Sequence, residues 1–341
     1  MPPGWDLLAC PACGGPLARG PACSACGRVF AEEAGLVRLR LEAPARVEAV
    51  RAFYERAPFP GYPPNASLGW LRARGDRSDF ARRLDAAIPG DARIVEIGCG
   101  TGQMSLYLAK ADRVVVGADL TLASLRLGAG AARAFGLDQQ VCFVETDLHQ
   151  PGLRKGAFDV VVCSGVLHHT PDPRRAFAAI VELARPGGML VVGLYNAVAR
   201  IPLRLRRVVA RLSGYRWIPF DPVLRERDAE PARREAWLRD QYMHPEEHRH
   251  THGEVLRWFA ENDVDYVRAF PSALVDDPSE DLFEPCGDAW ALEAWLAQLG
   301  WMARLGHEGG LFVMVGRRRP AERRRAQAGA AAVSAAGMLT V

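Results

Sequence analysis

Long apolar runs are missing from the 341 residues. No stretch of about 18 uncharged apolar residues occurs, so the sequence predicts no transmembrane helix. The start, Met1-Pro2-Pro3-Gly4-Trp5-Asp6, lacks a basic segment followed by an apolar one, which argues against a secretory leader. We expect a cytoplasmic protein. Lysine occurs only at 110 and 155, and arginine supplies the rest of the 43 basic residues. Beside abundant alanine and glycine, this reads as a coding bias and not as a recognition surface. Charge of one sign is also lacking: 43 basic against 40 acidic residues leave a net +3, which gives no global argument for nucleic acid or membrane. We find no internal repeat. What is present, 49% apolar and 24% charged residues, excludes a wholly disordered, collagen-like or coiled-coil chain. The length allows about two domains, or one large α/β domain with appendages.

Cysteine is concentrated at one end. Cys10-Pro-Ala-Cys13 and Cys23-Ser-Ala-Cys26 are two C-x-x-C knuckles, the spacing that closes four thiolates around a zinc ion. The permissive backbone of Gly14 and Gly27 lets amides turn back towards sulfur. In a reducing compartment metal is the stronger reading than disulfide, and four ligands leave no open position, so the zinc is structural. The short gap between knuckles suits a very small ribbon. Cys99, Cys142, Cys163 and Cys286 are isolated and read mainly as small core residues.

Six segments follow. Residues 1–40 form the ribbon, ending in the strand-like Gly35–Leu39. Residues 41–92 are a helical linker and cofactor lid: two helical stretches around the turn from Tyr54 to Tyr62. Residues 93–196 alternate apolar strands (Ile94–Ile97, Val114–Ala118, Val141–Val144, Val160–Cys163, Leu190–Leu194) with helices (Gln103–Lys110, Leu122–Phe135, Arg174–Ala184), the pattern of a parallel sheet covered on both faces. Pro186-Gly187-Gly188 predicts a sharp turn. Residues 197–263 are a helical insertion over the acceptor. Residues 264–317 complete the core with strands Asp265–Phe270 and Leu311–Val315 around a helix at Ala289–Gln298. The Arg/Ala-rich tail 318–341 is expected to be disordered.

The informative run is Glu96-Ile97-Gly98-Cys99-Gly100-Thr101-Gly102-Gln103. A strand enters three alternate glycines and then a helix, so the backbone turns tightly and approaches a ligand. The dinucleotide fingerprint needs a further glycine where Gln103 stands, and Glu96 would repel a pyrophosphate. Asp119 ends the second strand, where a carboxylate accepts from a ribose diol. Asp147 follows the third, where one accepts from an adenine amine. A nucleoside site with carboxylates and no phosphate-binding cation suggests a ligand that carries its own positive charge.

With these motifs in order, followed by Phe158-Asp159-Val160-Val161, Val166-Leu167-His168-His169 and Leu183-Ala-Arg-Pro186-Gly187-Gly188, the chain resembles the class I S-adenosylmethionine-dependent methyltransferases over residues 90–195 and 264–316. The resemblance implies a doubly wound, seven-stranded Rossmann-like sheet with one antiparallel strand, Leu311–Val315. It also implies that Gly98, Gly100 and Gly102 approach the methionine portion of S-adenosylmethionine, with Glu96 near its ammonium. Asp119 would hold the ribose, and Asp147 with Leu148 the adenine. Beyond the core, Gly193-Leu-Tyr195-Asn196, Asp240-Gln241-Tyr242 and Glu308-Gly309-Gly310-Leu-Phe312 resemble segments of uncharacterised bacterial members.

For the acceptor, His168 and His169 follow the fourth strand at the carboxyl edge where ligands bind. They are candidates for a general base, beside a purely orienting role. The insertion adds His244 and His250 as further candidates, and Gln241, Tyr242, Tyr195 and Tyr54 as substrate contacts. A second metal site among His244, His248, His250 and His252 matches no standard spacing. Thr251 with Glu254 is a capping box that starts a helix through Phe259. Residues 200–212 form a basic amphipathic helix. Its Leu/Val stripe is expected on the core with arginines in solvent, and peripheral membrane contact is the second reading. The leading function is methylation of a small-molecule or lipid acceptor. RNA methylation ranks second, because a four-Cys ribbon ahead of such a core resembles bacterial rRNA guanine methyltransferases. A ribbon acting mainly as a docking module, as in small zinc proteins that activate methyltransferases, is third.

Overall fold

The computed structural model describes residues 3–320, apart from 19, 57, 222, 226–233, 235–236, 239–240, 243–245, 275–276, 278, 288–290 and 306–308. His244 and the tail from 321 onwards lie outside the described residues. Among the described residues, nine strands make one mixed sheet: β1 (Ala31–Glu33), β2 (Leu36–Leu39), β3 (Arg93–Ile97), β4 (Val114–Asp119), β5 (Val141–Thr146), β6 (Phe158–Ser164), β7 (Ala184–Tyr195), β8 (Val264–Phe270) and β9 (Leu311–Arg318). Their order is β1-β2-β5-β4-β3-β6-β7-β9-β8. Strands β3 to β7 run parallel, and β9 is antiparallel to both β7 and β8.

Side-chain alternation divides the core into two layers, because successive residues of a strand face opposite sides. Val95, Ile97, Val116, Val144, Val161 and Leu190 join one cluster with α6 (Pro173–Val181), α8 (His252–Glu261) and α9 (Ala291–Arg304). Ile94, Val115, Phe143, Val160 and Val191 join the other, under α2 (Leu68–Arg77), α3 (Asp79–Ala87), α4 (Gln103–Leu108) and α5 (Leu122–Phe135). Two further helices are α1 (Ala45–Glu55) and α7 (Ile201–Leu212).

The sheet departs from the expected seven strands at its β5 edge. There the last strand of the N-terminal segment, β2, pairs parallel with β5, Val37 opposite Val144, and β1 folds back on β2. An uncovered β5 would present a row of unsatisfied backbone groups, and β2 satisfies them. Charge reinforces the joint: Arg38 and Arg40 both pair with the fully buried Glu145. Cys10, Cys23, Val37 and Leu39 also enter the main core cluster.

Three local expectations change. The helix after β6 ends at Val181, because Ala184 already pairs with Phe158. Pro186-Gly187-Gly188 is a bulge inside β7, not a turn before it, since the next pairing is Val160 with Met189. The stretch after Tyr62 is split at Ser78, whose hydroxyl accepts from Ala81 N at 3.3 Å and so starts α3.

Helix α7 is turned over relative to the expected packing. Leu205, Val208 and Leu212 are 66%, 57% and 84% exposed, whereas Leu203 and Ala210 are buried. The inward face also carries Arg200 and Arg207, both paired with Glu247. That carboxylate, only 8% exposed, makes the burial of two guanidiniums tolerable and so fixes which face points in.

Candidate active site

The parallel order β5-β4-β3-β6 brings the carboxyl ends of four strands to one edge. Beyond them lies a cavity of about 630 Å³. It opens where β3 has β4 on one side and β6 on the other, the point at which strand order reverses and α/β sheets bind ligands.

One wall is made by the strand ends. Gly98, Gly100 and Gly102 all have left-handed φ, of 70°, 54° and 77°. At Gly98 a Cβ would lie 2.2 Å from Val166, and at Gly100 it would lie 2.3 Å from Phe59 O. Both positions therefore require glycine on conformation and on space. Gly98 and Gly100 line the cavity, while Gly102 sits one step back and turns the chain into α4. Asp119 accepts from Gly100 N (2.8 Å), Thr121 N (2.8 Å) and Thr121 Oγ1 (2.7 Å). Burial raises its carboxyl above the usual range, and those hydrogen bonds oppose the rise. Glu96, on the same wall, accepts from the Ser105 hydroxyl. Burial pushes its carboxyl up to about 7, with Asp119 nearby adding to the shift. Asp147 accepts from His149 N at 2.9 Å and from its ring Nδ1 at 3.0 Å. Burial acts to raise this carboxyl, but the His149 contacts hold it below the ordinary value. Leu148 lines the cavity beside it.

The aromatic turn after α1 closes over this wall. Tyr62 OH donates to Thr101 O at 2.8 Å, Gln103 Nε2 donates to Gly61 O at 2.9 Å, and Thr101 Oγ1 donates to Pro60 O. Three bonds thus tie the turn to the glycine loop, and Phe59 and Pro60 become cavity wall.

The opposite wall is assembled from distant segments: Tyr54, His169, Tyr195 and Gln241 all line the cavity. The Tyr54 and His169 rings lie 6.5 Å apart, and His169 and Tyr195 lie 5.5 Å apart. Gln241 Nε2 donates to Tyr195 OH at 2.8 Å. His169 Nδ1 is 2.8 Å from Glu246 O. A carbonyl only accepts, so Nδ1 carries the proton and Nε2 is the basic nitrogen.

The other sequence candidates stand behind these walls. His168 is fully buried and stacks on Tyr195 with centroids 3.7 Å apart. His250 bonds Glu254 at 2.9 Å and packs on Trp258, and burial lowers its basicity. Tyr242 donates to Asp221 at 2.6 Å. Sequence reasoning missed Arg200, which lies 3.6 Å over the other face of Tyr195 and binds Gln241, Glu247 and Gly309 O. It also missed Trp237 and Leu311 as cavity walls. No signal in the sequence distinguishes Arg200 from its basic neighbours.

Away from the cavity, the Sγ atoms of Cys10, Cys13, Cys23 and Cys26 lie within 4.8 Å of one another. Two of the separations are 3.8 and 3.5 Å. Four sulfurs at about 2.3 Å from one tetrahedral ion require separations of this size. Among the described residues no helix is long and apolar enough to cross a membrane.

Residues 95–192 match the family described as "Methyltransferase domain". An uncharacterized protein of Synechococcus is 28% identical over 240 residues, covering 62% of this chain and 57% of its own length. The ubiquinone biosynthesis O-methyltransferase of Aromatoleum aromaticum is 34% identical over 105 residues, 30% of this chain and 44% of that protein. The chain thus spans about half the length of the curated relatives it matches. Among solved structures, the geranyl diphosphate C-methyltransferase of Streptomyces coelicolor superposes with a TM-score of 0.47 at 16% identity, over 81% of this chain and 100% of that one.

Proposed function

We propose that this chain, whose core is a class I S-adenosylmethionine-dependent methyltransferase domain, methylates a small-molecule or lipid acceptor held in the cavity at the carboxyl edge of the sheet. The observation that carries this reading is the cavity itself. Its glycine and carboxylate wall faces a wall of Tyr54, His169, Tyr195 and Gln241, and Phe59 and Trp237 also line it. A volume of about 630 Å³ lies well within the range of small-molecule sites, and a lining that draws side chains from α1 and the insertion suits a small acceptor better than a polymer.

The residues fit the donor. Asp119 keeps acceptor capacity for ribose hydroxyls, Asp147 and Leu148 suit adenine, and Glu96 offers an anionic partner to an ammonium where no phosphate could sit. When bound, S-adenosylmethionine supplies a methyl group on a positively charged leaving group, open to in-line displacement. The protein's part is chiefly to position the acceptor and exclude water. Where the acceptor must lose a proton, His169 Nε2 takes it, and Glu246 O holds the ring in that tautomer. Four thiolates hold one structural zinc, which closes the ribbon on itself, while β2 joins it to the sheet edge. A cytoplasmic location belongs to the same reading, since close thiols remain metal ligands in a reducing compartment.

The test uses purified protein, radiolabelled methyl donor and a bacterial lysate divided into RNA, protein, lipid and small-molecule fractions. Label in the lipid or small-molecule fraction that disappears with Asp119→Ala is the expected result. Label in RNA would overturn the acceptor assignment. One zinc per chain, lost in Cys10→Ser, is expected from metal analysis of the same preparations.

A further inference from the structure

The outward face of α7 has no partner of its own in the described structure, and its composition says what would cover it. Ile201, Leu205, Val208 and Leu212 recur at four, three and four residues, which puts them on one side of a helix. All four are exposed, up to 84% at Leu212, and the chain just beyond adds Trp217 and Phe220 at 63% and 75%. Cations flank this apolar stripe: Arg204, Arg211, Arg216 and Arg225 are exposed. Arg249 joins them, since burial and then the neighbouring Arg204 lower its basicity. The only acid in residues 200–225 is Asp221, and it is buried, accepting from Tyr242 and Trp237. The surface is therefore apolar along its crest, basic on its flank, and free of exposed carboxylates across its described residues.

We propose that α7 and the following segment through Phe220 dock this protein on an anionic lipid surface. The Leu/Val stripe enters the acyl boundary, Trp217 and Phe220 sit at headgroup depth, and the arginines meet lipid phosphates. Two other occupants fit less well. RNA would use the arginines and the two aromatic rings but leave a row of aliphatic side chains against water. A second copy related by a two-fold axis would set this basic face against itself. The inference goes beyond the methyl-transfer reading and stands without it. It gains a use if that reading holds, because the inner face of α7 carries Arg200 and Arg207, which bind the Gln241 side chain and backbone, and Gln241 lines the cavity. The docking face then lies across α7 from the contacts that Arg200 and Arg207 make to the cavity-lining Gln241.

The experiment is flotation of the full chain with vesicles of phosphatidylcholine alone and of phosphatidylcholine with phosphatidylglycerol, at low and high salt. Neither donor nor acceptor is needed, so its outcome is independent of the methyltransferase assay. The expected result is binding to the phosphatidylglycerol vesicles, weakened by salt and nearly absent on phosphatidylcholine alone. Leu205→Asp with Leu212→Asp should lower apparent affinity by about ten-fold or more. Arg204→Gln and Arg211→Gln should each lower it about five-fold at low salt. These side chains are exposed, so the variants should keep the parent melting temperature. No binding to phosphatidylglycerol vesicles would overturn the proposal, as would equal binding to both vesicle types. So would a concentration-dependent dimer abolished by the aspartate pair, or total RNA that displaces vesicles and binds the aspartate pair as tightly as the parent.

Discussion

The two walls of the cavity are built in different ways. The wall proposed for the donor, unlike the one proposed for the acceptor, comes from a short span of strand ends: Glu96, Gly98, Gly100, Asp119 and Asp147 occupy corresponding places on three neighbouring parallel strands. Backbone geometry largely fixes it, through left-handed glycines and amide bonds to Asp119. The acceptor wall has no such frame. Tyr195 ends β7, His169 lies in the loop after β6, Gln241 belongs to the insertion and Tyr54 to α1. Side-chain contacts hold these four together, above all the stack of His168 and Arg200 on the two faces of Tyr195. A wall fixed by backbone should fail through sterics and tolerate little. A wall fixed by side chains should fail through lost pairing while leaving the donor site intact.

The largest expected effect is at Gly98. Gly98→Val places a branched side chain where a Cβ alone would lie 2.2 Å from Val166, in a left-handed conformation. Donor binding by calorimetry should fall below detection. Retained binding would mean that the glycine loop is not the rigid donor frame described above.

Next is the centre of the acceptor wall. Arg200→Ala removes the cation over Tyr195 and the buried donor to Gln241 Oε1 and Gly309 O, while Glu247 keeps its pair with Arg207. Stability should fall by about 1–3 kcal/mol, as when buried acceptors lose their donor. Denaturant titration measures it. Donor affinity of the folded fraction should change little, because Arg200 does not line the cavity. Equal losses of stability and donor affinity would show that the walls are not separable. A smaller effect is expected at His169. His169→Ala should lower kcat by about a hundred-fold for an acceptor that must be deprotonated, with donor affinity unchanged. A drop only in KM would assign the ring to positioning.

The same contrast explains what could be read in the sequence. Strands β3 to β7, the glycine run and the carboxylates at strand ends are local features: short continuous apolar runs and short-range spacings record them directly. The join of β2 to β5 is not local. Leu36–Leu39 reads as a strand, but nothing in those four residues says that its partner lies about a hundred positions later. Helix α7 shows the limit most sharply. Its 3.6-residue pattern identifies an amphipathic helix correctly, yet two faces were open to burial, and a single distant carboxylate, Glu247, decided between them. In the same way Arg200 is one arginine among many until folding places it over Tyr195.

The smallest expected effect concerns Glu96. Without donor, burial holds its carboxyl up near 7, above the ordinary carboxylate value, so the protonated form is favoured in the folded chain. A raised folded pKa stabilises the fold most below the unfolded value, and this contribution fades as pH rises through about 7. A cationic donor reverses the preference, because an ammonium beside Glu96 favours the charged carboxylate. Between about pH 6 and 7.5, donor binding should therefore release a proton and tighten with rising pH, by at most about ten-fold per pH unit. Calorimetry in buffers of different ionisation enthalpy reads that proton directly. Glu96→Gln should flatten the profile, and Asp119, raised by its own burial, should keep its shift. A steep profile that survives the substitution would move the titrating group from Glu96 to Asp119, and the anionic partner of the donor's charge with it.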